Sequence, residues 1–289
     1  MAYAEVLGVN HYYEWITQSG EDPQGDKPVM VFIHGWGGSC RYWRSTAQAL
    51  SAEFDCLLYD MRGFGQSHIA PANREAVLAR GYELETFADD LFELLNILEL
   101  ETVWLNSHST GASVAVFFAN QYGDRLKQSI LTCNGVFEYD KKAFEAFYKF
   151  GGYVVGFRPD WLKQIPLMPR IFMSRFLSRP IPQAEKVAFL EDYLEADGDV
   201  ALGTIYTAVS KRATEIMPVA FAELTVPTLL VSGEKDQITP ANLGREAAAL
   251  NPDVIQYVEI ENTGHFPMLE APETYLREVR SFLKTPSLC

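Results

Sequence analysis

The chain has 289 residues, 48% of them hydrophobic, 13% aromatic and 21% charged, with no low-complexity tract. That excludes a disordered, collagen-like or repeat-tract protein and leaves ample chain for a large core. Acidic residues outnumber basic ones 38 to 24, for a net charge of −14, and no Lys/Arg cluster interrupts that balance, so nucleic-acid binding through phosphate neutralisation is not expected.

The opening MAYAEVLGVNHYYEW lacks a basic stretch followed by an apolar one, which reads as no secretory signal and a cytoplasmic protein. Its apolar runs fall short of the roughly 20 residues that span a bilayer, so no membrane span is expected. Cys40, Cys56, Cys133 and Cys289 are scattered without CxxC spacing, which predicts neither a zinc site nor a disulfide framework.

In chain order, residues 4–9 and 12–17 read as an opening hairpin, followed by the turn cluster GEDPQGDKP. Four apolar runs of strand length follow, at 29–33, 56–60, 102–106 and 129–133. Each is continuously apolar and followed by a helical pattern, the signature of parallel strands covered on both faces. Leu84, Phe87, Leu91, Leu94 and Leu98 repeat at three and four residues and predict an amphipathic helix over 83–98, with Asp89 and Asp90 on its wet side. Residues 112–122 are apolar nearly all round and predict a helix buried against the sheet. Strand-like runs return at 228–232 and 254–260, with helical patterns at 243–250 and 273–283.

Between these two blocks, residues 137–217 carry helical periodicity broken by prolines and no parallel-strand run. The reading is a helical cap (137–217) inserted into an α/β core (1–136 and 218–289). It holds eight of the chain's 18 Phe, most expected to pack cap helices together and a minority to line a pocket.

The run VWLNSHSTGASVAVFF sets Ser109 between a buried strand and a buried helix, with Ser107 and Gly111 two residues to either side. Small flanking residues permit a sharp strand-turn-helix elbow that lifts the central hydroxyl clear of the sheet and faces it with free helix N–H groups. Three further segments lie just past strand ends: His34-Gly35-Trp36-Gly37-Gly38, Asp60-Met61-Arg62-Gly63-Phe64-Gly65-Gln66-Ser67 and Gly233-Glu234-Lys235-Asp236. A fourth, Asn262-Thr263-Gly264-His265-Phe266, follows the last strand.

With the elbow, these segments resemble the α/β-hydrolase superfamily, specifically capped members with an HGxGG-type loop and a DxRGxGxS turn. The usual pattern has Gly where Ser107 stands. The resemblance implies a mostly parallel sheet of about eight strands flanked by helices, with an inserted helical cap. It also implies a catalytic triad of Ser109, Asp236 and His265, in the chain order described for the fold, with backbone N–H groups of Trp36 and Thr110 forming an oxyanion hole. His34 is expected to orient its loop, Asp60 and Arg62 to brace their turn, and His11, His68 and His108 to be structural. No cofactor and no metal is implied.

The expected activity is hydrolysis of a carboxylic ester or related acyl bond of an apolar small molecule, falling on acidification as His265 gains a proton. An Asp at position 109 would instead suggest a dehalogenase or epoxide hydrolase, and a Lys after the histidine, where Phe266 stands, a hydroxynitrile lyase. The alternatives are a carbon-carbon bond hydrolase whose substrate carboxylates meet Arg158, Arg170, Arg175, Arg179 or Arg212, and a ligand-binding protein without turnover. Haloperoxidase, perhydrolase and thioester chemistry need no further residues.

Overall fold

A computed structural model describes residues 2–284 apart from Gln24, Tyr139 and Val209. Eight strands form a single sheet in the order β1-β2-β4-β3-β5-β6-β7-β8. They are β1 (Ala2–Val6), β2 (Val9–Ile16), β3 (Val29–Ile33), β4 (Asp55–Tyr59), β5 (Val103–His108), β6 (Leu126–Thr132), β7 (Thr228–Gly233) and β8 (Ile255–Ile260). β1 and β2 pair antiparallel and β2 joins β4 antiparallel, while every pairing from β4 to β8 is parallel.

The apolar runs sort by strand parity. Met30 and Phe32 enter the core on one side of the sheet with α1 (Arg44–Leu50) and α12 (Pro272–Leu283). Val31 and Ile33 enter the other with α3 (Leu84–Ile97) and α4 (Thr110–Gln121). Alternate side chains point to opposite faces, so a strand covered by helices on both sides must be apolar at every position. The shorter core helices are α2 (Arg74–Ala79), α10 (Ala241–Ala249) and α11 (Pro267–Glu270).

Two expectations change. The hairpin turn falls at Leu7–Gly8, both at positive φ, and Val6 faces Val9, so the first strand ends three residues earlier than expected. Leu is an unusual occupant of that conformation, and the turn carries no Asn-Gly or Asp-Gly signal. Asp90 is not on a wet face: it is 2% exposed and ion-paired to Arg62 and Arg80. Three residues after Phe87 and four before Leu94, it shares their buried face, where Arg62 meets it.

Between β6 and β7 the chain is helical: α5 (Lys141–Gly156), α6 (Met168–Met173), α7 (Gln183–Glu195), α8 (Gly198–Ala208) and α9 (Lys211–Ala222). α9 runs past the boundary expected at residue 217. Among the described residues, no helix is long and apolar enough to cross a membrane.

Candidate active site

β5 ends at His108, and Ser109 turns at φ 53°, ψ −120° before α4 begins at Thr110. Holding a non-glycine residue there costs on the order of 1–3 kcal/mol, supplied by the packing around it. Gly111 is obligatory, since a Cβ would lie 2.3 Å from the His34 carbonyl oxygen. Ser107 is tolerated in place of the usual glycine because its Oγ turns into the sheet and donates to the Ile130 carbonyl at 2.8 Å.

The fold brings three of the expected residues together. His265 Nδ1 lies 2.7 Å from Asp236 Oδ2, and its Nε2 lies 3.0 Å from Ser109 Oγ. A carboxylate only accepts, so Nδ1 carries the proton and Nε2 presents a lone pair to the serine hydroxyl. The other carboxylate oxygen of Asp236 accepts from the N–H groups of Ile238 (2.8 Å) and Thr239 (3.1 Å), which fixes its orientation. Asp236 and His265 are buried, while Ser109 and Thr110 are half-buried and open to an incoming molecule.

Thr110 is the first residue of α4, where backbone N–H groups have no acceptor within the helix. Across from it lies the glycine loop. A Cβ on Gly35 would come within 3.1 Å of the Ser109 Cβ, which places the backbone of that loop against the serine. Trp36 is half-buried, and its indole donates to the Ala201 carbonyl of α8 at 2.8 Å. His34 accepts from the Met61 N–H at 2.9 Å and so ties the loop to the turn after β4. Burial lowers its pKa to about 4. Asp60 accepts from the N–H groups of Cys40 and Gln66, while Arg62 reaches beyond its turn to the Gly81 carbonyl and the Phe87 ring.

Sequence reasoning missed three residues. His108, read as structural, links two halves of the site. Its Nε2 is 2.7 Å from the His265 carbonyl, which only accepts, so Nδ1 is bare and takes the Tyr42 hydroxyl proton at 3.0 Å. Tyr42 in turn accepts from the Gly35 N–H at 2.6 Å. A single relay therefore joins the glycine loop to the histidine loop through the residue before Ser109. Burial, and then the neighbouring His265, hold the pKa of His108 well below the ordinary histidine value, consistent with the neutral form.

The third is Glu270, 6% exposed. One oxygen accepts from the N–H groups of Gly264 (2.9 Å) and Phe266 (3.1 Å), on either side of His265. The other accepts from Ser178 and Arg179, both at 2.7 Å, in the segment between α6 and α7. The His265 N–H itself donates to the Phe176 carbonyl at 2.7 Å. No local pattern marks Tyr42 or Glu270, whose partners lie on other elements or on backbone.

Aromatic rings from the helical stretch between β6 and β7 lie against these residues. Phe176 lies 6.1 Å from the His265 ring, Phe189 5.0 Å from Phe266, and Tyr193 5.9 Å from Trp36. Phe157 is 65% exposed and faces away from the core, whereas the side chains of Phe144, Phe147 and Phe150 lie outside the described residues. A cavity of about 550 Å³ opens elsewhere, lined by Tyr13, Glu14, Trp15, Asp55 and Leu98 around the starts of β3 and β4. None of the site residues reaches it.

His108, Cys133 and His265 offer ligand atoms within 4.8 Å of one another, but all four imidazole nitrogens already serve the hydrogen bonds above. A metal there would have to break them. Cys40, Cys56 and Cys133 are free and buried, and Cys289 lies outside the described residues.

The sequence profile described as the alpha/beta hydrolase fold matches residues 28–272, and the chain belongs to that family. It is 27% identical over 283 residues to an AB hydrolase superfamily protein of Bacillus subtilis, covering 92% of this chain and 96% of that one. An epoxide hydrolase 3 of Xenopus tropicalis is 26% identical over 294 residues, covering 90% and 73%. Among solved structures, a thermophilic esterase from Thermogutta terrifontis superposes with a TM-score of 0.74 at 24% identity, over 98% of both chains, a likeness of fold.

Proposed function

We propose that the protein is a serine hydrolase that cleaves a carboxylic ester or related acyl bond of a largely apolar small molecule through an acyl-enzyme. The observation that carries this reading is the His265 ring bridging Ser109 Oγ at 3.0 Å and Asp236 Oδ2 at 2.7 Å. A serine hydroxyl is a poor nucleophile at neutral pH and needs such a base, held in one tautomer by a third group.

In the proposed reaction, Ser109 Oγ attacks the substrate carbonyl carbon as its proton passes to His265 Nε2. The tetrahedral oxyanion accepts from the backbone N–H groups of Trp36 and Thr110, and one such donor is worth roughly 3–4 kcal/mol of transition-state stabilisation. His265 then gives the proton to the departing alkoxide. Water, deprotonated by His265, releases the acid and restores Ser109. The aromatic rings of Phe176, Phe189 and Tyr193 favour an apolar substrate, and residues 137–217 act as the cap over it.

The carbon-carbon hydrolase reading loses most of its support. Arg158 donates to the carbonyls of Val155, Tyr193 and Ala196, Arg179 to those of Glu261 and Asn262, and Arg212 pairs with Glu85. An epoxide hydrolase would be expected to carry an Asp where Ser109 stands.

A serine-directed phosphonate probe followed by peptide mapping tests the proposal. The expected adduct sits on Ser109, and Ser109→Ala loses at least about a thousandfold in turnover on an ester panel with its melting temperature nearly unchanged. A folded protein that takes no adduct, or an alanine variant that keeps most of its turnover, would return the site to ligand binding.

A further inference from the structure

The first half of the insertion carries a surface that the proposed chemistry does not use. Tyr153, Phe157, Trp161, Leu167 and Ile171 are 51–68% exposed, five large apolar side chains within 19 residues. Tyr153 and Phe157 are one turn apart at the end of α5, where the Phe157 N–H donates to the Tyr153 carbonyl, the Phe157 and Trp161 rings meet edge to face at 6.3 Å, and Leu167 and Ile171 are one turn apart at α6. The inner sides of these helices are already satisfied: Val155 and Met173 are buried, and the Phe172 ring lies tilted at 4.7 Å from Tyr193. A helix apolar on its inner and outer sides has a second apolar environment to meet.

Charge says which environment. Residues 149–179 hold six Lys/Arg and a single Asp, a local +5 in a chain of −14, spaced too widely to form a run in sequence. Three of the six are engaged within the protein: Lys163 pairs with Glu195, and Arg158 and Arg179 bond carbonyls. Arg170 and Arg175 are exposed and carry no ion pair among the described residues, beside Leu167 and Ile171. Tyr, Phe and Trp flanked by unpaired cations suit the headgroup region of an anionic bilayer, where the ring bodies sit among acyl chains and the guanidinium groups meet phosphates.

We infer that this face, built on Tyr153, Phe157, Trp161, Leu167 and Ile171 with Arg170 and Arg175, docks the protein on an anionic lipid surface. A second copy of the chain is disfavoured as the occupant, because a symmetric pairing would set Arg170 and Arg175 of one copy against the same cations of the other, whereas an anionic surface neutralises them. Such docking would set the cap against a phase where apolar esters concentrate. It does not depend on the role of Ser109.

The test uses the full chain with vesicles of phosphatidylcholine alone and with about 30% phosphatidylglycerol, read by co-sedimentation and by tryptophan emission. Trp161 is the exposed one of five tryptophans, so its insertion shows as a blue shift. Wild type is expected to partition on the order of tenfold more strongly to the anionic vesicles, less so as salt rises. The double variant R170E/R175E should lose that preference, and F157S/W161S should abolish binding. Both should hydrolyse a short soluble ester like wild type. Equal or absent partition to the two vesicles overturns the inference, as does binding that survives both double variants. Dimerisation in solution that F157S/W161S removes, without vesicle binding, assigns the face to a second copy instead.

Discussion

The two halves of the insertion look alike in sequence and are held differently. α7 and α8 are stitched to the core by polar contacts: Asp192 takes Ser39 and Arg41, Asp197 takes Arg74, the Trp36 indole reaches Ala201 O, and Thr207 bonds the Tyr82 carbonyl. The backbone fits as closely, since a Cβ on Gly203 would lie 2.2 Å from the Tyr82 ring. α5 and the turn that follows it instead meet α7 and α8. Tyr148 stacks on Tyr206 at 4.1 Å, Arg158 reaches Tyr193 and Ala196, and the Tyr193 hydroxyl bonds the Val154 carbonyl. Helical periodicity thus says that a helix exists, whereas its polar partners decide whether it is wall or surface. α7 and α8, with Phe176 before them, form part of the candidate site, and α5 and α6 present a face.

The largest test of that division is the joint between them at Glu270. Glu270→Ala leaves four N–H groups without their acceptor, those of Gly264 and Phe266 buried, a loss on the order of 3 kcal/mol in chemical denaturation. Because two of those groups flank His265, turnover per titrated active site should also fall at least tenfold at nearly unchanged KM. Glu270→Gln, which keeps one acceptor oxygen, should recover part of both. Turnover per site equal to wild type in the alanine variant would make Glu270 a structural residue only.

Histidine protonation should act on the core, since residues 137–217 contain no histidine. His34 is held neutral down to about 4, and burial lowers His108 and His11 as well. The unfolded chain takes up these protons near 6.5 and the folded chain only lower, so the stability present above pH 6.5 drains away as pH falls toward 4. His34 alone contributes about 3 kcal/mol to that loss. Urea midpoints measured from pH 7 to pH 4 should fall steadily, and a flat profile would mean that these rings find partners for a second proton.

The smallest effects separate the halves most cleanly. Asp192→Ala removes the acceptor of Ser39 and Arg41 and should cost about 2 kcal/mol, moderated because Arg41 can rehydrate, and should raise KM through the neighbouring Tyr193 and Phe189. R170E/R175E should shift stability by less than about 0.5 kcal/mol. Equal losses for the two would erase the distinction between wall and surface.

Much of the site was readable because its parts are local. Ser109 in its elbow and the glycine loop after β3 follow from a few adjacent residues and a strand end, while Asp236 and His265, past β7 and β8, were singled out by the family resemblance of the segments that hold them. The Asp90 expectation failed because charge was weighed above spacing: its position between Phe87 and Leu94 already put it on the buried face. Tyr42 and Glu270 had no such clue.

The sequence by itself determined the strand runs, the elbow and the chain order of Ser109, Asp236 and His265, because buried strands and tight turns impose their demands on neighbouring residues. Only the tertiary structure decided the relay from Gly35 through Tyr42 and His108 to His265, the Glu270 clamp, and which aromatic rings face the site. Those depend on contacts between residues up to 157 positions apart, as between His108 and His265, where a side chain's partner is set by what the fold delivers to it.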